Sequence, residues 1–314
     1  MKYCLFFLLA FPLFYACNNS HPAATTATVH TARADSLRRL IESYIGTKNA
    51  DIGVAIIGLE DGDTISVKGD QFFTLMSVAK FPQALLLLHL VDEGKLNRDM
   101  VLRFNSAELN QPSGSAFRKD HPGNSVEIGI PEALKYSIGQ SDNITSNKIF
   151  EVEGGPEAVT RYVQAQGISD IRIVTDYAHM GLDSMHRNRA TPKAMVQLLQ
   201  KFYSRQLLTD SSHNMLWKAM VDAVSGPDRL KGGLPAGTVV AHKTGTGSRD
   251  EATGLTEALN DVGVVQLPDG RHFAIAVFVN KSYESPEMNA TIIAHISKLA
   301  WNYFSAKAPA KMQP

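Results

Sequence analysis

Two groups that could start an acyl-transfer reaction lie three residues apart, at Ser77 and Lys80 in the segment Ser-Val-Ala-Lys. That spacing places both side chains on one face of a helix. A serine hydroxyl is a poor nucleophile until a base takes its proton, and a partly buried lysine with a lowered pKa is such a base. Ser77 would also begin a helix, where its free backbone N–H could stabilise an oxyanion. Taken alone, the pair is more simply explained by a serine cap and a solvated lysine.

A second motif, Ser141-Asp142-Asn143, falls in a loop between two expected helices. Ser141 could relay a proton, and Asn143 could bind a substrate amide. Serine and asparagine residues ahead of a helix are also common caps, so this motif by itself is weak evidence for a site.

A third motif, Lys243-Thr244-Gly245, lies on a strand expected at the edge of a sheet. Its lysine and threonine would face an anionic group, and its glycine would let a ligand approach the backbone closely. The next amide, on Thr246, could form half of an oxyanion hole. The alternative is a strand end with a surface lysine. Each of the three motifs occurs once, and their conjunction is much stronger evidence than any one of them.

The elements that must position these motifs are strands near both ends of the chain and helices between them. Strands are predicted over 51–59, 64–68, 238–246, 261–267 and 271–280, with terminal helices over 34–45 and 288–304. The helices between them are predicted over 78–92, 131–137, 143–152, 156–166, 192–202 and 211–224. This order favours an α+β fold, with an antiparallel five-stranded sheet flanked by the terminal helices and carrying an inserted all-helical subdomain. The cleft between sheet edge and insert is the expected binding site.

The N-terminus has the composition of an export signal. One lysine precedes a nearly continuous apolar stretch over 4–14, which is too short to cross a bilayer as a helix. We interpret 1–16 as a signal peptide, because Phe-Tyr-Ala-Cys at 14–17 resembles a bacterial lipoprotein box with Cys17 as the first mature residue. An ordinary signal peptide cut near Ala16 is the alternative. The expected location is therefore the periplasm, with the membrane contacted only through a lipid anchor on Cys17.

The remaining boundaries follow from composition and pattern. The polar stretch after the signal predicts a flexible tether over 17–33. The α/β subdomain is predicted over 34–75 and 235–305, the all-helical subdomain over 76–234, and a tail over 306–314.

Composition also limits the partners and cofactors. Among 314 residues, 31 Lys and Arg balance 31 Asp and Glu, so no net positive charge draws the protein to nucleic acid. The ten histidines are scattered, and both cysteines, Cys4 and Cys17, lie near the N-terminus. We therefore expect no metal, no cofactor and no internal disulfide framework. The expected state is a monomer whose partner is a small molecule.

With Ser-x-x-Lys, Ser-Asp-Asn and Lys-Thr-Gly in this order, the chain resembles a class A serine β-lactamase, most closely the Bacteroidetes and extended-spectrum branch. The resemblance covers about 34–304 and includes the segments 72–76, 226–232 and 234–238. It implies hydrolysis of the β-lactam amide through an acyl-enzyme on Ser77, and therefore a role in antibiotic resistance.

The resemblance also assigns a role to each matching residue. Ser77 would be the acylated nucleophile, Lys80 its proton partner and Ser141 the shuttle toward the leaving nitrogen. The residues assigned to substrate binding are Asn143 for the side-chain amide, Lys243, Thr244 and Arg229 for the carboxylate, and Thr246, whose amide would join that of Ser77 in the oxyanion hole.

One loop departs from the family pattern. By spacing from Ser141, the glutamate that activates the deacylating water in the family is replaced by Tyr177, and its partner four residues later by Gly181. A tyrosine with an ordinary pKa near 10 is mostly neutral at pH 7, whereas a carboxylate is ionised and can accept a proton from water. The candidate substitute bases are Asp176 and His179. The sequence therefore predicts that deacylation is slow.

The sequence also has features that bear on other functions. A D-Ala-D-Ala peptidase-like enzyme or a non-hydrolytic penicillin-binding protein would also lack the loop glutamate. A non-catalytic binding module is less well supported, because a pure binder has no need of Ser77, Lys80 and Ser141 together. A lipase-like triad is disfavoured by the absence of Gly-x-Ser-x-Gly.

Overall fold

The computed structural model describes residues 26–111, 115–179, 181 and 184–306. The predicted signal peptide, Cys17 and most of the predicted tail lie outside these residues. The α-helices are α1 (Thr26–Ile45), α2 (Lys80–Asp92), α3 (Ser106–Leu109), α4 (Ala116–Asp120), α5 (Ile130–Leu134), α6 (Asn143–Glu153), α7 (Pro156–Ala165), α8 (Pro192–Tyr203), α9 (Asp210–Val221) and α10 (Pro286–Ser305). The strands are β1 (Asp51–Gly58), β2 (Thr64–Val67), β3 (Phe73–Thr74), β4 (Val101–Phe104), β5 (Val126–Gly129), β6 (Ile171–Arg172), β7 (Arg189–Ala190), β8 (Val240–Thr246), β9 (Thr256–Gln266) and β10 (His272–Ser282).

Five of these strands form one antiparallel sheet in the order β2-β1-β10-β9-β8, as predicted. Its long central strands, β9 and β10, pair from Thr256 with Ser282 to Gln266 with His272. The run Phe-Ala-Ile-Ala-Val-Phe-Val in β10 is buried throughout, so both faces of the sheet must be covered. Because β8 has no partner strand on its outer side, the Lys-Thr-Gly motif lies on an edge.

Helices cover both faces of this sheet. On one face, α1 and α10 bury Ile41, Ile293 and Phe304 against the strands. On the other face, α8 and α9 contact the strands, and α2 packs among α6, α7 and α9. A helix that is apolar on all sides belongs in a core, and almost every residue of α2 is buried. Ser77 and Lys80 therefore lie at the start of the most deeply buried helix of the insert.

The inserted region contains β-structure, which the prediction of an all-helical subdomain over 76–234 missed. One small sheet pairs β4 with β5, and a second has the order β3-β7-β6. Their strands are only two to four residues long. Strands this short do not show the alternation of apolar and polar residues that identifies longer ones.

The first helix is longer than predicted. It begins at Thr26, although we predicted a tether over 17–33 and a helix from Ala34. Packing of Leu37 and Ile41 in the core fixes its later turns. Once a helix is nucleated, each further residue adds one hydrogen bond, so α1 extends toward the N-terminus.

Candidate active site

Ser77 lies in a tight helical turn, Met76–Ala79, immediately before α2. Lys80, the first residue of α2, donates a hydrogen bond from Nζ to Ser77 Oγ over 2.7 Å. Met76 has a φ of +50°, a left-handed conformation that costs a non-glycine residue of order 1–3 kcal/mol. In this turn Ser77 stays partly exposed while Met76 and Val78 on either side are buried.

The other hydrogen bonds of Lys80 lead to the second motif. Its Nζ donates to the carbonyl oxygen of Ser141 over 3.1 Å and to Asn143 Oδ1 over 2.7 Å. The side chain is fully buried. Burial first, and then the positive charge of Lys243, hold the pKa of Lys80 well below the usual lysine value, although Asp142 opposes them. A neutral amine beside a serine hydroxyl is a general base.

Ser141 connects the two buried lysines. Its carbonyl oxygen accepts from Lys80, and its Oγ accepts from Lys243 Nζ over 2.8 Å. Ser141 has a φ of +59° and follows a π-helical turn at 135–139. Hydrogen bonds through Lys80 and Ser141 therefore connect three stretches that are far apart in the sequence.

Asp142, between Ser141 and Asn143, has a structural role. Its Oδ1 accepts from the backbone N–H of Thr145 over 3.0 Å and thereby caps α6. Its Oδ2 accepts from the Phe117 N–H over 3.2 Å and from the Ser115 hydroxyl. These bonds hold the two flanking residues in place.

The third motif is anchored by a second buried lysine. Lys243 Nζ donates to Ser141 Oγ and also to the Thr244 carbonyl oxygen over 2.9 Å. Burial lowers the pKa of Lys243 to about 7; Asp261 opposes this shift and Arg229 adds to it. A Cβ on Gly245 would overlap the carbonyl oxygen of Leu75, so only glycine lets β8 approach the turn that carries Ser77.

The backbone of Thr246 directs an amide to the open edge of β8. Thr246 lies opposite Leu259, and the next residue, Gly247, donates to the Ala258 carbonyl oxygen over 2.8 Å. Along an antiparallel pair, residues that bond to the partner strand alternate with residues whose backbone groups point away from it. Because Gly247 bonds to the partner strand, the Thr246 N–H points away from β9. This amide is therefore available for the oxyanion hole to which the resemblance assigns it.

Arg229 lies beneath the end of β8. Its Nη1 donates to the carbonyl oxygens of Gly245 and Asn260 over 3.1 and 2.9 Å, and its Nη2 donates to Thr246 Oγ1 over 2.6 Å. The side chain is buried, so its charge would act on a ligand through the Thr246 hydroxyl. Thr244 Oγ1 shares a hydrogen bond of 2.7 Å with the Ser225 hydroxyl. The assignment of Arg229 and Thr244 to a substrate carboxylate stays a prediction.

Tyr177 contacts Lys80. The Nζ of Lys80 lies 3.8 Å from the centre of the Tyr177 ring, and the Tyr177 hydroxyl lies 3.5 Å from the Met76 carbonyl oxygen. Burial raises the pKa of Tyr177 far above its usual value. The phenol is therefore neutral and offers Lys80 the face of an aromatic ring in place of a carboxylate.

The two candidate substitute bases are hydrogen-bonded to each other. Asp176 Oδ1 accepts from the backbone N–H of His179 over 2.8 Å and lies 2.7 Å from its Nδ1. Asp176 also lines a cavity beside Phe104 and Glu108. Within the described residues neither candidate is hydrogen-bonded to Ser77 or Lys80.

Four asparagines that sequence analysis missed, three of them buried, hold the site together. Each one binds backbone groups of a neighbouring segment: Asn260 the carbonyl oxygens of Thr74 and Leu75, Asn280 the N–H of Thr74, Asn147 the N–H of Tyr177, and Asn188 the N–H groups of Val174 and Thr175. Asparagine is common in loops and caps, so nothing in the sequence marks these four.

Replacing Asn260 with alanine is expected to lower the free energy of unfolding by roughly 2–4 kcal/mol, because several buried groups lose their partners. Asn260 is fully buried and also accepts from the Val279 N–H over 3.2 Å. Urea unfolding of the wild type and the variant measures the difference. Asn302→Ala, at an exposed position on α10, is the matched control. Equal stability of the wild type and Asn260→Ala would contradict the role given to Asn260.

Two further features concern metals and membranes. Among the residues that the structure describes, no group of three or more His, Cys, Asp or Glu side chains could hold a metal ion. In the same residues, no helix is both long and apolar enough to cross a membrane.

The fold and the site together define a serine-dependent acyl-transfer enzyme, in which a buried amine is hydrogen-bonded to one serine hydroxyl and a second buried amine to another. The chain belongs to the β-lactamase enzyme family, whose model matches residues 32–304. It is 38% identical over 275 residues to the extended-spectrum β-lactamase PER-1 of Pseudomonas aeruginosa, covering 87% of this chain and 89% of that one. It is 35% identical over 277 residues to a β-lactamase of Bacteroides uniformis, with coverages of 87% and 93%.

Solved structures agree with this assignment. The crystal structure of the TLA-1 extended-spectrum β-lactamase superimposes with a TM-score of 0.84 at 38% identity. The match covers 87% of this chain and 99% of that one. The predicted α+β class, its five-stranded sheet and the predicted family are therefore confirmed.

Proposed function

We propose that this protein is a serine β-lactamase that forms an acyl-enzyme on Ser77 and releases it slowly. The observation that carries the proposal is the contact between Lys80 and Tyr177. Ser77 has Lys80 as a base for acylation, whereas the loop, in its described residues, presents a tyrosine and no base for deacylation. The names of the relatives, all β-lactamases, support the substrate class.

Acylation needs only groups that lie within hydrogen-bonding distance of one another. Neutral Lys80 takes the proton of Ser77 Oγ, and this oxygen adds to the carbonyl carbon of the β-lactam. The amides of Ser77 and Thr246 stabilise the resulting oxyanion. The ring C–N bond then breaks, and the nitrogen receives the proton of the Ser141 hydroxyl, which regains one from the Lys243 ammonium group that donates a hydrogen bond to it. The product is an ester on Ser77 with an open ring.

Deacylation needs a water molecule and a base to activate it. The loop offers a neutral phenol that is packed against Lys80, while the loop carboxylate, Asp176, is hydrogen-bonded to His179. Loss of a general base typically costs about 10²–10⁴ in rate. Lys80 itself remains as a base, so we propose slow turnover and not a permanent ester.

Mixing the purified protein with a chromogenic cephalosporin tests this proposal. We expect a burst of product equal to the enzyme concentration, a slow steady state, and an intact-mass increase located on Ser77. Ser77→Ala is the control and should show neither burst nor adduct. Absence of both adduct and turnover in the wild type would overturn the proposal.

A second function is favoured by the same loop. A D-Ala-D-Ala peptidase-like enzyme, or a penicillin-binding protein that does not hydrolyse its ligand, also has no use for a loop glutamate. Release of D-alanine from a cell-wall pentapeptide would identify the first. A stoichiometric β-lactam adduct that persists without any turnover would identify the second.

The pH dependence of acylation follows from the two buried lysines. Lys80 must be neutral, and Lys243 must be charged to attract an anionic substrate, so the second-order rate constant for acylation should be bell-shaped. Because the pKa of Lys243 is about 7, the rate is expected to fall as the pH rises above that value. Lys243→Arg keeps its charge at high pH and should move this alkaline limb upward. Stopped-flow acylation rates provide the measurement. If the alkaline limb lies at the same pH in Lys243→Arg as in the wild type, the limb does not report the charge of Lys243.

We also propose that the protein is exported to the periplasm and works there as a monomer with no nucleic-acid partner. The apolar stretch at 4–14 and the lipoprotein-like 14–17 support export and a lipid on Cys17, and the balanced charge argues against nucleic acid. Intact mass of the protein extracted from membranes should show a chain that begins at a diacylated Cys17. Cys17→Ser should release it into the soluble fraction. A monomer mass by light scattering completes the test.

A further inference from the structure

Two arginines lie directly opposite each other on the strands that close the loop carrying Tyr177. Arg172 in β6 pairs with Arg189 in β7, and both side chains are exposed. The neighbouring pair, Ile171 with Ala190, faces inward and is buried. Because residues directly opposite in an antiparallel pair share a face, the two guanidinium groups project from the same side of this small sheet.

Like charges directly opposite each other destabilise a β-sheet. Within the described residues, neither Arg172 nor Arg189 has an ion pair or a side-chain hydrogen bond. Arg187, two residues away and exposed, adds a third positive charge. Repulsion between these positive charges therefore destabilises the small sheet, and no carboxylate among the described residues neutralises it.

Three described carboxylates along the adjoining segments contact other groups. Asp70 forms an ion pair with Lys193 at 2.6 Å, and Glu257 lies 3.4 Å from His186 Nε2. Asp170 accepts a hydrogen bond from the Ser169 hydroxyl over 3.1 Å. None of these three carboxylates forms an ion pair with Arg172 or Arg189. The guanidinium N–H groups of the two arginines can therefore bind a molecule from solution.

An aromatic ring holds the two guanidinium groups together. Phe72, just before β3, lies 5.7 Å from the Arg172 guanidinium carbon and 5.0 Å from that of Arg189. Its side chain is 37% exposed, although its neighbour Phe73 is buried. Contact with one ring restricts both arginines in the absence of a ligand, which lowers the entropy lost when they bind one.

We infer that Phe72, Arg172 and Arg189 form an anion-binding site for a phosphate group, separate from the reaction at Ser77. Each guanidinium presents parallel N–H donors that match two oxygens of a phosphate. A bound phosphate also cancels the repulsion across β6 and β7. These strands bracket residues 173–188, so the ligand would stabilise the base of the loop that positions Tyr177.

The test is a titration with inorganic phosphate and with pyrophosphate at constant ionic strength, followed by NMR of the arginine Nε–Hε groups. We expect saturable shifts at Arg172 and Arg189. The double variant R172Q/R189Q should bind about tenfold more weakly or worse, since two charged hydrogen-bonding groups are lost. The matched control is Arg39→Gln, at an exposed arginine on α1 without a carboxylate partner in the described residues, and it should bind like the wild type.

Two further experiments test whether the forked donors of arginine are needed and whether the phosphate belongs to a lipid or to a soluble molecule. R172K/R189K keeps the charge and loses the forked donors, so it should also bind more weakly than the wild type. Sedimentation with phosphatidylglycerol vesicles, compared with phosphatidylcholine vesicles, identifies a lipid headgroup as the source if only the former bind. Binding of pyrophosphate without vesicle binding identifies a soluble ligand.

The inference also predicts a change in loop dynamics. Hydrogen exchange at 173–179 should slow in the presence of the bound anion in the wild type and stay unchanged in R172Q/R189Q. Non-saturable shifts spread over many surface arginines, or equal phosphate affinity of the wild type and the double variant, would overturn it. Because none of these measurements involves Ser77, the result is independent of the proposed enzymatic activity.

Discussion

Replacing Tyr177 with glutamate is expected to speed release of the acyl group from Ser77 by about 10²–10⁴. Tyr177 is the loop residue that contacts Lys80, so a carboxylate there would lie beside both the ester and the incoming water. The smaller side chain would also leave room for that water. Single-turnover decay of the acyl-enzyme, followed by intact mass, measures the rate directly.

Two companion variants separate the carboxylate from the space it creates. Tyr177→Phe keeps the ring and removes only the hydroxyl, so its deacylation rate should equal that of the wild type. Tyr177→Gln creates the same space as glutamate without a base and should give little of the gain. If glutamate and glutamine accelerate deacylation equally, the effect belongs to access of water and the general-base argument is wrong.

The glutamate variant should also change acylation. A negative charge near Lys80 favours its protonated form and raises its pKa. The acid limb of the acylation rate would then move to higher pH, unless the new carboxylate takes over as the base for Ser77. Measuring acylation and deacylation separately is therefore necessary, because a steady-state rate would combine two opposite effects.

Replacing Lys80 with methionine is expected to lower the acylation rate by about 10²–10⁴, the usual cost of removing a general base. Methionine has a similar length and suits a fully buried position, so the core around α2 should be retained. The second-order rate constant for the burst with a chromogenic cephalosporin is the measurement. Thermal unfolding of the same variant checks that the fold is intact.

Another lysine, Lys148, provides the matched control for Lys80→Met. Lys148 on α6 is mostly buried and forms ion pairs with Glu108 and Glu151 away from Ser77. Lys148→Met should cost stability and leave the acylation rate per folded molecule unchanged. If Lys80→Met acylates at the wild-type rate, another group takes the proton of Ser77, and the base assignment fails.

Much of the fold could be predicted from the sequence, because its long elements have strong local patterns. The strands over 51–58 and 272–282 and the helix over 286–305 were located to within a few residues. β9 was less well predicted, since it begins at Thr256 and the prediction began at Asp261. Thr256, Asn260 and Asp261 are polar yet buried, and buried polar residues hide a strand from a hydrophobic pattern.

The candidate site could also be predicted only in part from the sequence. Ser77, Lys80, Ser141 and Lys243 were chosen from spacing and order, and their contacts agree with that choice. Arg229 is buried under β8 and contacts Thr246, and its assignment to the substrate carboxylate stays a prediction. The number of residues between two positions does not say on which side of a strand an arginine from another segment will lie.

The sequence by itself determined which chemical groups this protein has and in what order they occur, because those depend only on residue type and spacing. Tertiary structure decided how those groups behave. The lowered pKa values of Lys80 and Lys243 require burial among segments far apart in the chain. The contact of Tyr177 with Lys80 depends on how the loop is held by Asn147 and Asn188. Burial, charge and orientation arise from long-range packing, and no local pattern encodes them.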